Sequence, residues 1–321
     1  MMSSQDRCCL TINVLGRNPE VEISREKFEE IKQCITALNA ALAAEEKYEL
    51  ITCNYLEYEQ DLLNCALAHQ LRFSADYIDM FDEITKFNRR ITNILTSTRM
   101  YMDHMPRHLR SCLPSEDKTE VESFFQGLTH GEYDAYFEYA FLEALRNHLQ
   151  HAGLCVSQVT LDNKNYPVSD GGRLWENRTL VFTDKKLLGG NPDFKKIVIN
   201  RMPDKVELTT AIRVYIGCIS RVHDKIRDRI QVSVDAARAS LEETLKSYSD
   251  QCDSPTNMVH ANRYSSAQES PEEVVLIFFE WDNIRIKLQN KNMKNSNLAR
   301  HYVSNRTNTT TILPEADNPT I

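Results

Sequence analysis

From Glu20 to Met105 the chain contains neither glycine nor proline, a run of 86 residues bounded by Pro19 and Pro106. Strands joined by tight turns need residues that tolerate positive φ roughly every eight to twelve positions, and this run offers none. Helices need no such residues and can be joined by a polar hinge such as Arg72-Phe73-Ser74-Ala75-Asp76. The apolar spacing agrees: Ile84, Phe87, Ile91, Ile94, Leu95, Thr98 and Met102 recur at steps of three and four and share one helical face. The run predicts two or three long helices.

Glycine is scarce in the whole chain, 9 residues with 10 prolines among 321, where ordinary usage is about 7% and about 5%. Neither G-x-G-x-x-G nor G-x-x-x-x-G-K-[ST] occurs, so dinucleotide-binding and P-loop functions lack the backbone their phosphate cradles require. Nine cysteines form no C-x-x-C, which predicts reduced, buried thiols, and the expectation is no metal and no cofactor. The longest strongly apolar run, Val274 to Phe279, is too short to span a bilayer, and the N-terminus has no signal-peptide core. The expectation is a soluble cytoplasmic protein without a membrane partner.

Beyond Met105, Pro106, Pro114, Gly127 and Gly131 read as a punctuated connection, followed by a helix-forming stretch from Tyr133 to His151 that Gly153 would end as a left-handed cap. Short β-type runs, Val156 to Leu161 and Leu180 to Thr183, then alternate with turn chemistry at Asp162-Asn163, Asp170-Gly171-Gly172 and Gly189-Gly190-Asn191-Pro192. Helical periodicity resumes from Val206 to about Asp250, and a polar linker, Ser249 to Pro271, precedes the apolar segment Val274 to Leu288. The expected fold is mainly α: a helical domain over 1–153, a small β-containing insertion over 154–203, further helices over 204–304, and a disordered Thr- and Asn-rich tail over 305–321.

One stretch combines groups suited to chemistry. In Phe141 to His151, at about 100° per residue, Glu143, Arg146, Asn147, Gln150 and His151 fall within an arc of roughly 140°, opposite Phe141, Leu142, Leu145 and Leu149. A fixed cation, an amide, an imidazole and a carboxylate on one face can grip a phosphate and move a proton. The bland alternative is a solvated face with Arg146 paired to Glu143 or Gln150. His148, on the apolar side, reads as packing. The spacing recurs at Arg99 and His104, so it decides nothing by itself; only at Arg146 does asparagine follow the arginine.

Arg146-Asn147-x-x-x-His151 near a helix C-terminus resembles the R-x(4–6)-H signature of the HEPN (higher eukaryotes and prokaryotes nucleotide-binding) superfamily. Asn88-Arg89-Arg90-Ile91 through Asp103-His104 also resembles a helix of uncharacterised bacterial members. The resemblance spans residues 20 to 155. It implies a HEPN-like helical bundle that pairs into a homodimer, and a metal-independent endoribonuclease of the toxin or antiphage (abortive-infection) type, with an antitoxin or phage-derived trigger as further partner. In that reading His151 is general acid/base, Arg146 neutralises phosphate charge, and Asn147 and Glu143 orient them. Gly153 stands where one subgroup carries tyrosine, so regulation through that tyrosine is not implied. A non-catalytic HEPN-like dimerisation module in a defence or signalling complex is the competing expectation.

An RNA partner must be reconciled with 38 Lys+Arg against 46 Asp+Glu and a net charge of −8, since phosphate contacts supply most non-specific affinity. The charge is segmental: Glu20 to Asp61 is acidic, while Lys86 to Arg110 and Asn283 to Arg306 are basic. Arg89, Arg90 and Arg99 are therefore expected to line an RNA entrance.

Overall fold

The computed structural model describes residues 7–12, 19–72, 77–168, 172–253, 256–265, 270–292, 295–301 and 303. The chain is mainly α. In order it forms β1 (Arg7–Thr11), β2 (Val21–Ile23), α1 (Arg25–Arg72), α2 (Tyr77–Cys112), α3 (Val121–Ala135), α4 (Phe137–His151), β3 (Gln158–Pro167), β4 (Arg173–Asp184), α5 (Lys185–Gly189), α6 (Lys196–Arg201), β5 (Lys205–Glu207), α7 (Leu208–Cys252), β6 (Met258–Tyr264), β7 (Glu273–Phe278) and α8 (Glu280–Lys291). No helix among the described residues is long and apolar enough to cross a membrane.

The glycine- and proline-free run becomes two long helices, α1 and α2, after the short strand β2. Phe87, Ile91, Ile94, Leu95 and Thr98 on α2 are buried, as are Ile212, Tyr215, Ile216, Ile219, Val222, Ile226 and Ile230 on α7. These faces form because only the three- and four-residue recurrence of apolar groups lets a helix cover its own backbone on one side. Most of hinge 72–76 and all of tail 305–321 lie outside the described residues.

Several boundaries differ from expectation. Pro106 lies inside α2, and Gly127 and Gly131 lie inside α3; a helix already nucleated by long apolar faces tolerates single breakers. The stretch from Tyr133 to His151 is two helices, separated where Tyr136 turns extended (φ −122°, ψ 118°). Asp162 and Asn163 sit within β3, paired with Arg178 and Asn177 of β4, because the ladder to β4 continues past them to Pro167. The polar linker contains β6, and Val274 to Leu288 divides into β7 and α8. The single β excursion is thus joined by a second sheet.

The chain forms two compact units, each assembled from separate stretches rather than consecutive ones. The first comprises Met1–Glu49, Met100–Gly127 and Val222–Met293. It holds an antiparallel sheet in the order β2-β1-β6-β7, with Leu10 opposite Ala261 and Asn262 donating to Thr11 Oγ1 at 2.8 Å. Its helical core encloses Glu45, whose carboxylate takes two hydrogen bonds from Arg227 (2.8 and 2.6 Å) and one from His223 Nε2 (3.2 Å). Since Nε2 donates, Nδ1 of neutral His223 accepts from Tyr101 Oη at 3.0 Å, and Tyr48 stacks on the imidazole at 4.1 Å. Asp282, fully buried, is held between Arg285 and Arg238.

The second unit comprises Leu50–Arg99, Leu128–Arg221 and Lys294–Ile321. Its antiparallel sheet runs β3-β4-β5, with Val159 opposite Val181. Around α4 pack α6 and part of α7; Tyr58 Oη lies 2.9 Å from Thr209 Oγ1, and Arg213 grips Glu59 with two bonds of 2.7 Å. Gly217 of α7 faces the carbonyl of Ser296, which an added Cβ would meet at 3.0 Å. Arg221 donates to the same carbonyl at 3.1 Å.

Candidate functional site

All of the sequence-derived site residues belong to the second unit. Helix α4 is covered on every side over its first turns: Tyr139, Ala140, Phe141, Leu142, Ala144 and Leu145 are all buried. Consecutive buried positions rule out a simple half-wet helix there. Only the last turn opens, where Asn147, Gln150 and His151 are exposed. Gly153 does not cap this helix in the left-handed region. Instead Ala152 N (2.8 Å) and Gly153 N (3.1 Å) both donate to His148 O, which satisfies the terminal carbonyl without a positive φ.

The polar arc is divided by its neighbours. Glu143 is half-buried and accepts a 2.6 Å hydrogen bond from Tyr215 Oη of α7, so it faces packing rather than solvent. Its charge helps hold the Tyr215 phenol well above its ordinary range, after burial itself. Arg146, also half-buried, donates from Nη1 to Gln150 Oε1 at 3.0 Å, while its Nε is covered and makes no hydrogen bond. Arg146 forms no ion pair among the described residues, although Glu143 lies one turn away. No hydrogen bond joins Arg146 to His151 among the described residues, in keeping with their places at opposite edges of the arc. His148 is buried as packing: Asn191 Nδ2 donates to its Nδ1 at 3.1 Å and Phe194 lies edge-on at 6.1 Å.

The α2 arginines differ among themselves. Arg90 donates to Asp61 Oδ2 at 2.6 Å and pairs also with Glu57, so its charge is answered within the unit. Arg89 and Arg99 are exposed. Asn88, beside them, is buried: its Oδ1 accepts from Cys155 N and Val156 N, each at 3.0 Å, and its Nδ2 donates to Ile84 O. It therefore clips the chain just past α4 and fixes how that helix ends. The bond of Arg146 to Gln150 is one of the two pairings expected of a solvated helix face, whereas nothing in the sequence marked Tyr215, Asn88 or Asn191 as partners of the motif, because each meets it only through the fold. His104, in the first unit, is exposed, 6.5 Å from the ring of His108.

Among the described residues no group of three or more His, Cys, Asp or Glu side chains is arranged to hold a metal ion. Searches with the sequence and the structure match no protein-family model, no curated protein and no solved structure. Among the described residues the arrangement offers a cation bonded to an amide and to no carboxylate, an exposed imidazole and an exposed amide at the end of one helix.

Proposed function

We propose that this chain is a metal-independent endoribonuclease of the toxin or antiphage type, acting through the last turn of α4. The observation that carries the reading is Arg146. A guanidinium held by Gln150 and answered by no carboxylate among the described residues leaves its charge for an anion, and exposed Asn147 and His151 stand on the same turn. The resemblance of Arg146-Asn147-x-x-x-His151 to the HEPN signature supports the same chemistry.

In the reaction His151 takes the proton of an RNA 2′-hydroxyl, whose oxygen attacks the adjacent phosphorus; the bond to the 5′-oxygen breaks and that oxygen is protonated. Arg146 stabilises the added charge on the phosphorane. The products are a 2′,3′-cyclic phosphate and a 5′-hydroxyl. One exposed imidazole serves one proton transfer at a time, and His148 is sealed, so a second copy related by a twofold axis supplies the other. Glu143 acts only by holding α4 to Tyr215.

The test is cleavage of single-stranded RNA in EDTA with analysis of the product ends. His151→Ala and Arg146→Ala should each lower the rate by about 10²-fold or more at unchanged melting temperature, and expression of wild type alone should arrest growth. A second reading, a non-catalytic HEPN-like interaction module, is favoured by the engagement of Glu143 with Tyr215. It predicts RNA left intact by wild type and variants alike.

A further inference from the structure

Within the second unit, β3 and β4 form a hairpin whose two faces differ in chemistry. Successive strand residues point to opposite sides. Trp175 therefore shares a face with Arg173 and Asn177 on β4 and, through the register, with Asn165 and Asn163 on β3. The inner part of that face is closed: Val159, Thr179 and Val181 are buried, and Thr179 Oγ1 donates to Leu62 O of α1 at 3.0 Å. Farther out, Asn177 Nδ2 donates to Gln70 Oε1, and α1 ends soon after, at Arg72. Trp175 stands beyond that contact and is 61% exposed.

The residues beside the indole are polar. Arg173, exposed, donates from Nε to Asn165 Oδ1 at 2.7 Å. That bond uses one donor of the guanidinium and the acceptor of the amide, so the Nη groups of Arg173 and Nδ2 of Asn165 are further donors. The hairpin's carboxylates, Asp162, Glu176 and Asp184, all stand on the opposite face. Each is engaged there, Asp162 with Arg178, Glu176 with Tyr166 Oη at 3.1 Å and Asp184 with Leu187 N at 2.6 Å. On a chain of net charge −8, the hairpin thus sets a ring, a cation and amides together and keeps its carboxylates away from them.

We propose that this face binds an unpaired nucleotide of RNA, with the base stacked on the Trp175 indole and the phosphate held by Arg173. Charge and chemistry select that occupant. A protein partner gains from apolar side chains clustered in a patch, and Trp175 is flanked instead by Arg173, Asn163, Asn165 and Asn177. A base gains from a ring whatever its identity, its edges take hydrogen bonds from amides, and its phosphate needs a cation. A base within a duplex is already stacked on both sides, so the ring selects single strands. That the nucleotide belongs to RNA rests on the ribonuclease reading of α4; the stacking geometry does not.

The test uses the full-length protein carrying Trp281→Phe, which leaves Trp175 as its one tryptophan, and His151→Ala, which keeps the RNA intact. An unstructured RNA of about 12 nucleotides, within the usual span of single-strand sites, should quench the indole fluorescence. The same strand in a duplex, or an abasic strand of equal length, should leave it unchanged. By anisotropy Trp175→Ala should weaken binding about 10-fold, and Trp175→Phe, which keeps a ring, less than about 3-fold. Arg173→Gln should lower the slope of log Kd on log salt by about 0.7. No binding, binding without quenching, equal quenching by the abasic strand, or one Kd for wild type and Trp175→Ala each overturns the proposal and leaves the face to a protein partner. With His151 restored, a quenched Trp175 and uncut RNA would refute the ribonuclease reading and keep this site. Cleavage at the wild-type KM in Trp175→Ala would do the reverse.

Discussion

Glu45 keeps its charge in the interior of the first unit because an arginine reaches it. Burial works to raise its carboxyl, but the hydrogen bonds and charge of Arg227, with His223, bring it from 4.5 to about 2. Burial moves His223 the other way, below 6.5, and outweighs the pull of Glu45. His108, in the same unit, is lowered to about 4 by burial, with Lys47, Arg107 and His104 adding to the effect. All three act in one direction on acidification. Below pH 6.5 the unfolded chain binds protons that folded His223 and His108 refuse, so stability falls, with the His108 share complete near pH 4. Below 4.5 the unfolded carboxylate protonates while folded Glu45 stays ionised to about 2, and the stability it contributed above 4.5 is lost. Thermal melts from pH 7 to pH 3 should show a decline in both windows. In His108→Asn the upper decline should shrink, whereas Glu45→Gln should reduce the lower one, to which the lowered carboxyls of Glu26, Glu30 and Glu273 also contribute. At pH 7 Glu45→Gln should cost about 3 kcal/mol, because half-buried Arg227 is left with Asp224 at 3.7 Å in place of its two bonds to Glu45. An unchanged profile in both variants would contradict this account.

At the scale of elements, glycine has two opposite uses. Gly127 and Gly131 sit in α3 with open space where a Cβ would go, so they cost the helix backbone entropy and return no close approach. Each replacement by alanine should raise stability by about 0.5–1 kcal/mol in urea unfolding. Gly217 is the converse. Alanine there would meet Ser296 O at 3.0 Å, loosening residues 295–301, which limited proteolysis would detect as earlier cleavage. These cases show what the sequence makes legible. The faces of α2 and α7 could be read because burial imposes a period on neighbouring residues. The sheet of β1 and β6 could not, since Leu10 and Ala261 pair across almost the whole chain and no turn signal joins them. For α4 the motif and the packing role of His148 were legible, whereas the covering of its first turns and the loss of Glu143 to Tyr215, 72 positions away, depend on α7.

Charge must be judged over the whole molecule, and there the two basic segments shrink. Lys86 pairs with Glu83, Arg90 with Glu57 and Asp61, Arg110 with Glu122, Arg285 with Asp282, and Lys291 with Glu49. Sequence runs count charges along the chain, but the compensating carboxylates lie outside the runs, one turn away on the same helix for Glu83 and Asp282 and on other helices for Glu49, Glu57, Asp61 and Glu122, so the runs overstate what a phosphate would meet. Different cations remain. Lys186, Lys195, Lys196, Arg201 and Lys205 are exposed and form no ion pair among the described residues, with Asp193 and Asp204 the carboxylates between them in sequence. Lys195 lies over Tyr133 and Arg201 over Phe137 at the start of α4, so this surface adjoins the helix that carries Arg146. If RNA is the substrate, it should be held here more than at Arg90. Neutralising Lys195, Lys196 and Arg201 to glutamine should flatten the dependence of log Kd on log salt by about 2, from about 0.7 per phosphate on a single strand. Arg90→Gln should instead leave RNA affinity unchanged and lower stability by about 1–2 kcal/mol, because Asp61, 15% exposed, loses its partner. Fluorescence anisotropy across a salt series separates the two outcomes, and an equal loss of affinity in both variants would return the RNA entrance to α2.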